Sequence, residues 1–338
     1  MKNIGYAGLS MMLCLTFAMP VMSQTPSPAE VACNAKYGKY YAAQTNMTLA
    51  DDFLNDATCK DSMYREGTYQ LMAAALVGAS KWKEALDLTN RFGKEMPNAG
   101  KPARIYINSQ GLAAANQTGD LDKIIDSGEK LLTVDPDNLN AILIVATTIP
   151  DKLPTDPAAM DKAMARAVEL AKKLLAMTKP EAVDGKVWQQ QVLGPAHGVV
   201  GFVLLQKKEY VESIAEYEQA VKINPRDQVS WFRKALSETK IAIAAQGLIQ
   251  PAYDILNLDS NRTPGPERDA LIEKRDAIEK DFREKRDKAI DSYISTVALG
   301  DPIAKQARVT LESLYNPSHN GTSEGLDELI AKRKTELK

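Results

Sequence analysis

Residues 201–225 read GFVLLQKKEYVESIAEYEQAVKINP, and this stretch decides the fold. Apolar and small residues recur at intervals of three and four on both sides of the Lys208-Glu209-Tyr210 turn, which is typical of two amphipathic helices joined by a tight connection. Pro225 follows the second helix and cannot continue it. Because an isolated helical hairpin cannot bury its apolar face, the stretch predicts a stack of such hairpins.

The closing proline recurs along the chain at Pro97, Pro136, Pro180 and Pro225, with spacings of 39, 44 and 45 residues. This pattern resembles the tetratricopeptide repeat (TPR), a helix–turn–helix unit of about 34 residues that ends in proline. The longer spacing is expected to be loop. The resemblance implies an all-α, TPR-like α-solenoid of stacked helical hairpins over residues 63–250. A generic helical bundle is the alternative, but it does not require turns at matching offsets.

The amino terminus has the form of a secretory signal peptide over residues 1–23. Lys2 precedes an apolar run from Ile4 to Met19, Pro20 breaks that run, and the small residues before Gln24 suit cleavage. We therefore expect a periplasmic or secreted protein, with no membrane insertion of the mature chain. An uncleaved membrane anchor is the alternative.

Two cysteines, Cys33 and Cys59, remain after the expected cleavage, in a segment (24–62) that predicts a helical pair. Thiols in an exported chain favour a disulfide, because the compartment is oxidising. Two buried free thiols are the alternative.

The charges are nearly balanced, with 42 Lys and Arg against 44 Asp and Glu. This balance argues against a nucleic-acid partner, which requires a basic surface. The two histidines, His197 and His319, have no partners at metal-ligand spacing, and no phosphate-binding loop or nucleophile motif occurs. We predict a packed or surface position for His197, no catalytic residues, no metal and no cofactor.

After the repeats, punctuation residues predict a loop over 251–266, and residues 267–338 predict a long amphipathic helix followed by capping helices. The long helix is either a solvated helix held by pairs such as Glu284 with Lys288, or an arm that meets a partner. The closing Asn316–Thr322 loop and the helix after it are similar to the tail of some secreted bacterial TPR proteins. A polar terminal helix would cap the open face of a solenoid.

The resemblance implies a non-enzymatic scaffold that binds a protein or peptide in a groove lined by first helices. The first-helix positions predicted to face that groove are Tyr69, Arg104, Asn108, Gln189 and Gln190. The competing hypothesis is a component of cell-envelope assembly that acts through the long charged helix. The sequence names neither the partner nor the oligomeric state.

Overall fold

A computed structural model describes residues 27–258, 265–300 and 302–337. The predicted signal peptide lies outside these residues. Every regular element in the described ranges is helical, so the predicted all-α class is confirmed. The α-helices are α1 (Pro28–Tyr41), α2 (Met47–Leu54), α3 (Arg65–Gly78), α4 (Trp82–Glu95), α5 (Lys101–Thr118), α6 (Leu121–Val134), α7 (Leu139–Thr148), α8 (Pro157–Ala176), α9 (Gly185–Trp188), α10 (Gly194–Gln206), α11 (Tyr210–Ile223), α12 (Gln228–Gln246), α13 (Ile249–Leu258), α14 (Pro266–Ala298), α15 (Ala304–Tyr315) and α16 (Leu326–Glu336).

The described chain divides into two compact units, one that ends at Met72 and one that begins at Ala73. In the first unit, Ser27 begins α1 with a reciprocal capping box to Glu30. A disulfide joins Cys33 of α1 to Cys59, and their α-carbons are 5.4 Å apart, within the range that the bond requires. The predicted pairing is therefore present, and it links α1 to the 3-10 turn that follows α2.

Consecutive helices of the second unit pack against each other from α4 to α8 and from α10 to α12, as stacked hairpins do. Small residues bring the helices close together. Gly201 of α10 faces the ring of Tyr217 on α11, where an added β-carbon would lie 3.1 Å from the ring carbons. Ala220, one turn after Tyr217, is completely buried. These are the positions at which the sequence predicts close helix contact.

The four repeated prolines all lie just after a helix. Pro97, Pro136 and Pro225 follow the last residues of α4, α6 and α11 by two positions, and Pro180 follows the end of α8 by four. The ladder of i→i−4 hydrogen bonds has ended before each proline, so the missing N–H costs no helical bond. The prolines therefore separate the hairpins as predicted.

The predicted loop over 251–266 is wrong in its first half, because α13 occupies Ile249–Leu258. Pro251 stands in the first turn of α13, where proline is tolerated since the N–H of that turn has no intrahelical acceptor. The next described residue is Gly265, which precedes α14.

Helix α14 has 33 residues, which corresponds to a length of about 50 Å. Its carboxyl-terminal third is buried against α12, α15 and α16 in a cluster that includes Ile290, Tyr293, Leu311 and Leu326. Helix α13 contacts α14 nearer the middle of α14, where Tyr253 meets Arg275 and Glu279. Within the described ranges, no helix combines the length and the apolar character that a membrane crossing demands.

Candidate binding surface on α5

Helix α5 is the first helix of a hairpin, and one of its faces is fixed by packing. Ala103, Ile107 and Ala114 are buried, and Gly111 approaches Thr89 of α4 so closely that a β-carbon would lie 2.9 Å from the Thr89 methyl. Gly119 ends the helix in the left-handed conformation with φ of 68°, and Asp120 then caps α6. The buried face thus fixes which residues of α5 turn outward.

The outward face of α5 holds a shallow apolar depression of about 490 Å³. The lining residues come from the first two and a half turns of the helix and are Lys101, Pro102, Ile105, Tyr106 and Ser109. Tyr106 keeps 37% of its surface exposed, while its partial burial raises the pKa of the phenol. The Ser109 hydroxyl donates a hydrogen bond to the Ile105 carbonyl at 2.7 Å, so the polar group at this end is already paired. The exposed surface of this depression is therefore mainly apolar.

Arg104 and Asn108 lie one turn apart on α5, but both are half-buried and neither lines the depression. The Nε atom of Arg104 is buried and has no hydrogen-bond partner among the described residues. Lys101 and Arg104 are the charged residues of α5, which contains no Asp or Glu. The outward side of α5 at the depression therefore combines apolar surface with the Lys101 cation.

Gln189 and Gln190 lie on a different helix. They begin a π-helical turn, Gln189–Leu193, that joins α9 to α10. Gln189 is exposed and Gln190 is half-buried, whereas the neighbouring Trp188 is buried. The wider π-helical turn re-aims side chains relative to a regular α-helix, and such turns are frequent at functional sites. Helices α6 to α9 separate this pair from Arg104 and Asn108 in the chain.

The prediction that Tyr69 contacts a partner is wrong, because its side chain is completely buried. An aromatic residue at this first-helix position fills space in the core, as aromatic residues do between stacked helices. Ile105 and Tyr106 of the depression were not predicted. The signal was present in the sequence, because these two apolar residues fall outside the buried arc that contains Ala103 and Ile107.

His197 is half-buried on α10, and its Nδ1 atom lies 2.7 Å from Oε2 of Glu216 on α11. The contact links the two helices of one hairpin, which agrees with the predicted packed or surface position. His319 stacks on Tyr315, with ring centroids 3.6 Å apart. Within the part of the chain that the structure describes, no group of three His, Cys, Asp or Glu side chains is placed to hold a metal ion.

A second surface is the arm, which we define as residues 246–256 and 265–288. No side chain of the arm is buried. Its two helices contact through Tyr253, which donates a hydrogen bond to Glu279 at 2.5 Å and lies under the guanidinium of Arg275, 5.4 Å from the ring centroid. Leu248 and Ile255 are about half exposed, at 56% and 48%. The arm therefore exposes more apolar surface to solvent than a pair of helices in the protein core does.

No family model matches the chain, and no curated protein matches it. A TPR protein from Parabacteroides merdae is similar in structure, with a TM-score of 0.35 and 13% identity over 85% of this chain and 98% of that one. A human IFIT1 dimer with m7Gppp-AAAA gives a TM-score of 0.34 and 12% identity over 93% of this chain and 69% of that one. A monomeric IFIT1 mutant with the same oligonucleotide has the same score and identity. Since these scores are low, the description of the fold rests on the helices themselves.

Proposed function

We propose that this protein is an exported, non-enzymatic scaffold that binds a protein or peptide segment on the outward face of α5. The exposed apolar depression around Ile105 and Tyr106 is the observation that carries the proposal, and Arg104 and Asn108 of the same helix are the predicted polar contacts. Partner segments bind where an apolar anchor enters a depression and polar groups at its edge fix the orientation. Tyr106 and Arg104 belong to the residue types that contribute most at interfaces.

A protein or peptide suits this surface better than a nucleic acid. The depression is lined mainly by apolar atoms, and the charges of the whole chain nearly cancel, with 42 Lys and Arg against 44 Asp and Glu. Nucleic-acid binding derives most of its affinity from many Lys and Arg contacts to phosphates. A fluorescent single-stranded RNA should therefore show no binding at moderate salt.

The experiment begins with selection of binding peptides from a displayed random library on the immobilised protein. Affinities of the selected peptides are then measured by calorimetry. Ile105→Ser and Tyr106→Ala should each weaken binding at least about tenfold, because each removes apolar surface from the depression. Val211→Ser is the matched control, since Val211 is 68% exposed on α11, the second helix of another hairpin.

Arg104→Ala and Asn108→Ala should weaken the same complexes while the helical circular dichroism is preserved. Peptides whose affinities are unchanged by all four α5 substitutions would overturn the placement of the site on α5. Export is tested separately by amino-terminal sequencing of the protein from its natural host, which should begin at or near Gln24. An intact Met1 on a cytoplasmic protein would contradict export.

The second candidate function is a component of cell-envelope assembly that acts through the arm, and the absence of buried side chains along the arm favours it. Proteins that co-purify from envelope extracts would distinguish the two functions. Deletion of residues 267–288 should abolish their capture under the second candidate, and the α5 substitutions should abolish it under the first.

A further inference from the structure

One face of α14 is buried near the carboxyl-terminal end of the helix, and the same face is exposed to solvent in the arm. Near the base of the arm, by which we mean the carboxyl-terminal third of α14, Ile290 and Ile294 lie in the buried cluster that α15 and α16 help to form. Arg283 lies one heptad before Ile290 and Asp276 lies two heptads before it, so both stand on the same side of α14. Both are exposed, whereas Ile290 and Ile294 are buried.

The same side of α12 also continues into open surface. Phe232 packs against the buried cluster at the base of α14. Ile243 lies eleven residues later, which is three turns along the helix, and therefore on the same side. Ile243 is 53% exposed. One continuous face thus changes from covered at the base to uncovered in the arm.

The charges of the arm divide into two halves of opposite sign. Residues 267–279 contain five acidic and three basic residues, whereas residues 280–288 contain five basic and three acidic residues. The acidic half lies toward the amino-terminal end of α14 and the basic half toward its base. A parallel copy of α14 would place like charges beside each other. An antiparallel copy places the acidic half of each helix along the basic half of the other.

We infer that the uncovered face of the arm binds a second copy of this chain, with the two α14 helices antiparallel. Charge complementarity identifies the bound partner as a second copy. When a second α14 runs antiparallel, its basic half lies beside the acidic half of the first, and its acidic half beside the basic half. The contact is isologous, as a two-fold symmetric dimer requires.

The dimensions of the arm suit such a contact. Residues 266–288 of α14 extend over about 35 Å, and two helices side by side are about 20 Å wide. The ten residues of α13 extend over only about 15 Å, so one face of the arm covers about 500 Å² and the dimer buries about 1,000 Å² in total, the area that a specific interface reaches. The exposed Ile243 adds apolar surface at the margin of this area.

The ion pairs within the arm leave its outward cations available. Lys280 lies 3.9 Å from Glu284, and Arg283 lies 3.9 Å from Glu279. Both distances exceed that of a hydrogen bond. Lys285, on the side of α14 that is half-buried, instead contacts Asp281 at 2.6 Å. Lys280 and Arg283 can therefore pair with carboxylates of a second copy without breaking a hydrogen bond.

The test measures the mass in solution of the full mature chain by light scattering and sedimentation. The wild-type chain should be a dimer at about 50 mM salt. The dissociation constant of the dimer should rise with salt, because the charges of the arm are exposed. Glu273→Lys/Asp276→Lys makes both halves of the arm basic, and Lys280→Glu/Arg283→Glu makes both halves acidic. Each double variant alone should raise the dimer dissociation constant at least about tenfold.

Two rescue experiments separate charge pairing from damage to the fold. An equimolar mixture of the two double variants should form a heterodimer, and the variant that carries all four substitutions should dimerise again. Lys162→Glu/Lys172→Glu on the exposed face of α8 is the matched control and should remain a dimer. A monomeric wild type would overturn the inference. So would a dimer whose dissociation constant is unchanged by the charge reversals in the arm, or double variants that stay monomeric in both rescue experiments. Peptide binding on α5 uses other residues and should persist in every arm variant.

Discussion

Close packing between first and second helices is tested most directly at Gly111. Replacement by alanine places a β-carbon 2.9 Å from both the Cγ2 and the Oγ1 atoms of Thr89, and 3.2 Å from its Cβ atom. Thr89 cannot turn away easily, because it is β-branched and its hydroxyl donates to the Ala85 carbonyl at 3.0 Å. Overpacking of this kind costs about 1–3 kcal/mol.

Gly93 provides the matched control. It lies within α4, and a β-carbon added there meets no atom within 4 Å. Both substitutions gain about 1 kcal/mol of helix propensity, so the difference between the two variants isolates the overpacking. Gly111→Ala should therefore be about 1–3 kcal/mol less stable than Gly93→Ala, and its Tm should be lower by about 2–12 °C.

Thermal and urea unfolding followed by circular dichroism measures both variants. Thr89→Ala removes the two atoms that the new β-carbon meets, so Gly111→Ala should cost at least about 1 kcal/mol less in the Thr89→Ala background. Equal stability of Gly111→Ala and Gly93→Ala, or an additive double variant, would refute the close approach of α4 and α5.

Three further measurements test other parts of the molecule. Replacement of Cys33 and Cys59 by serine should destabilise residues 27–72 by about 2–4 kcal/mol, seen as faster hydrogen exchange in α1; unchanged protection would contradict a stabilising role. Ala220→Leu should lower the Tm, because overpacking at a completely buried site costs about 1–3 kcal/mol; a preserved Tm would contradict the packing of α11. Burial raises the pKa of Glu238, beside the Lys234 ammonium at 3.1 Å, so the folded protein takes up a proton at a higher pH than the unfolded chain. Stability of the wild type relative to Glu238→Gln should therefore rise as pH falls through the raised pKa of Glu238, and a difference in unfolding free energy that stays constant with pH would contradict the raised pKa.

The predictions that succeeded depend on local physics. Apolar spacing of three and four residues identifies helices wherever they pack, and a proline must follow a helix rather than continue it. The sequence was therefore enough to predict the hairpins that end before Pro136 and Pro225. It also predicted the pairing of Cys33 with Cys59, because the two thiols that remain after the expected cleavage favour a disulfide in an oxidising compartment.

The predictions of individual contacts depended on neighbours that the sequence does not reveal. Periodicity places Tyr69 and Arg104 on first helices, but only packing decides that Tyr69 is buried and Arg104 half-buried. Likewise, Pro251 suggests a loop, yet α13 begins two residues before it and pairs with α14.

The sequence by itself determined that the described chain is helical, where its hairpins end and which cysteines are joined, because helix periodicity, proline geometry and a single cysteine pair act over short stretches of chain. Only the tertiary structure decided which arc of each helix remains open to a partner. That arc depends on contacts between helices far apart in sequence, such as those that cover Ile290 with α15 and α16 but leave Asp276 and Arg283 in water.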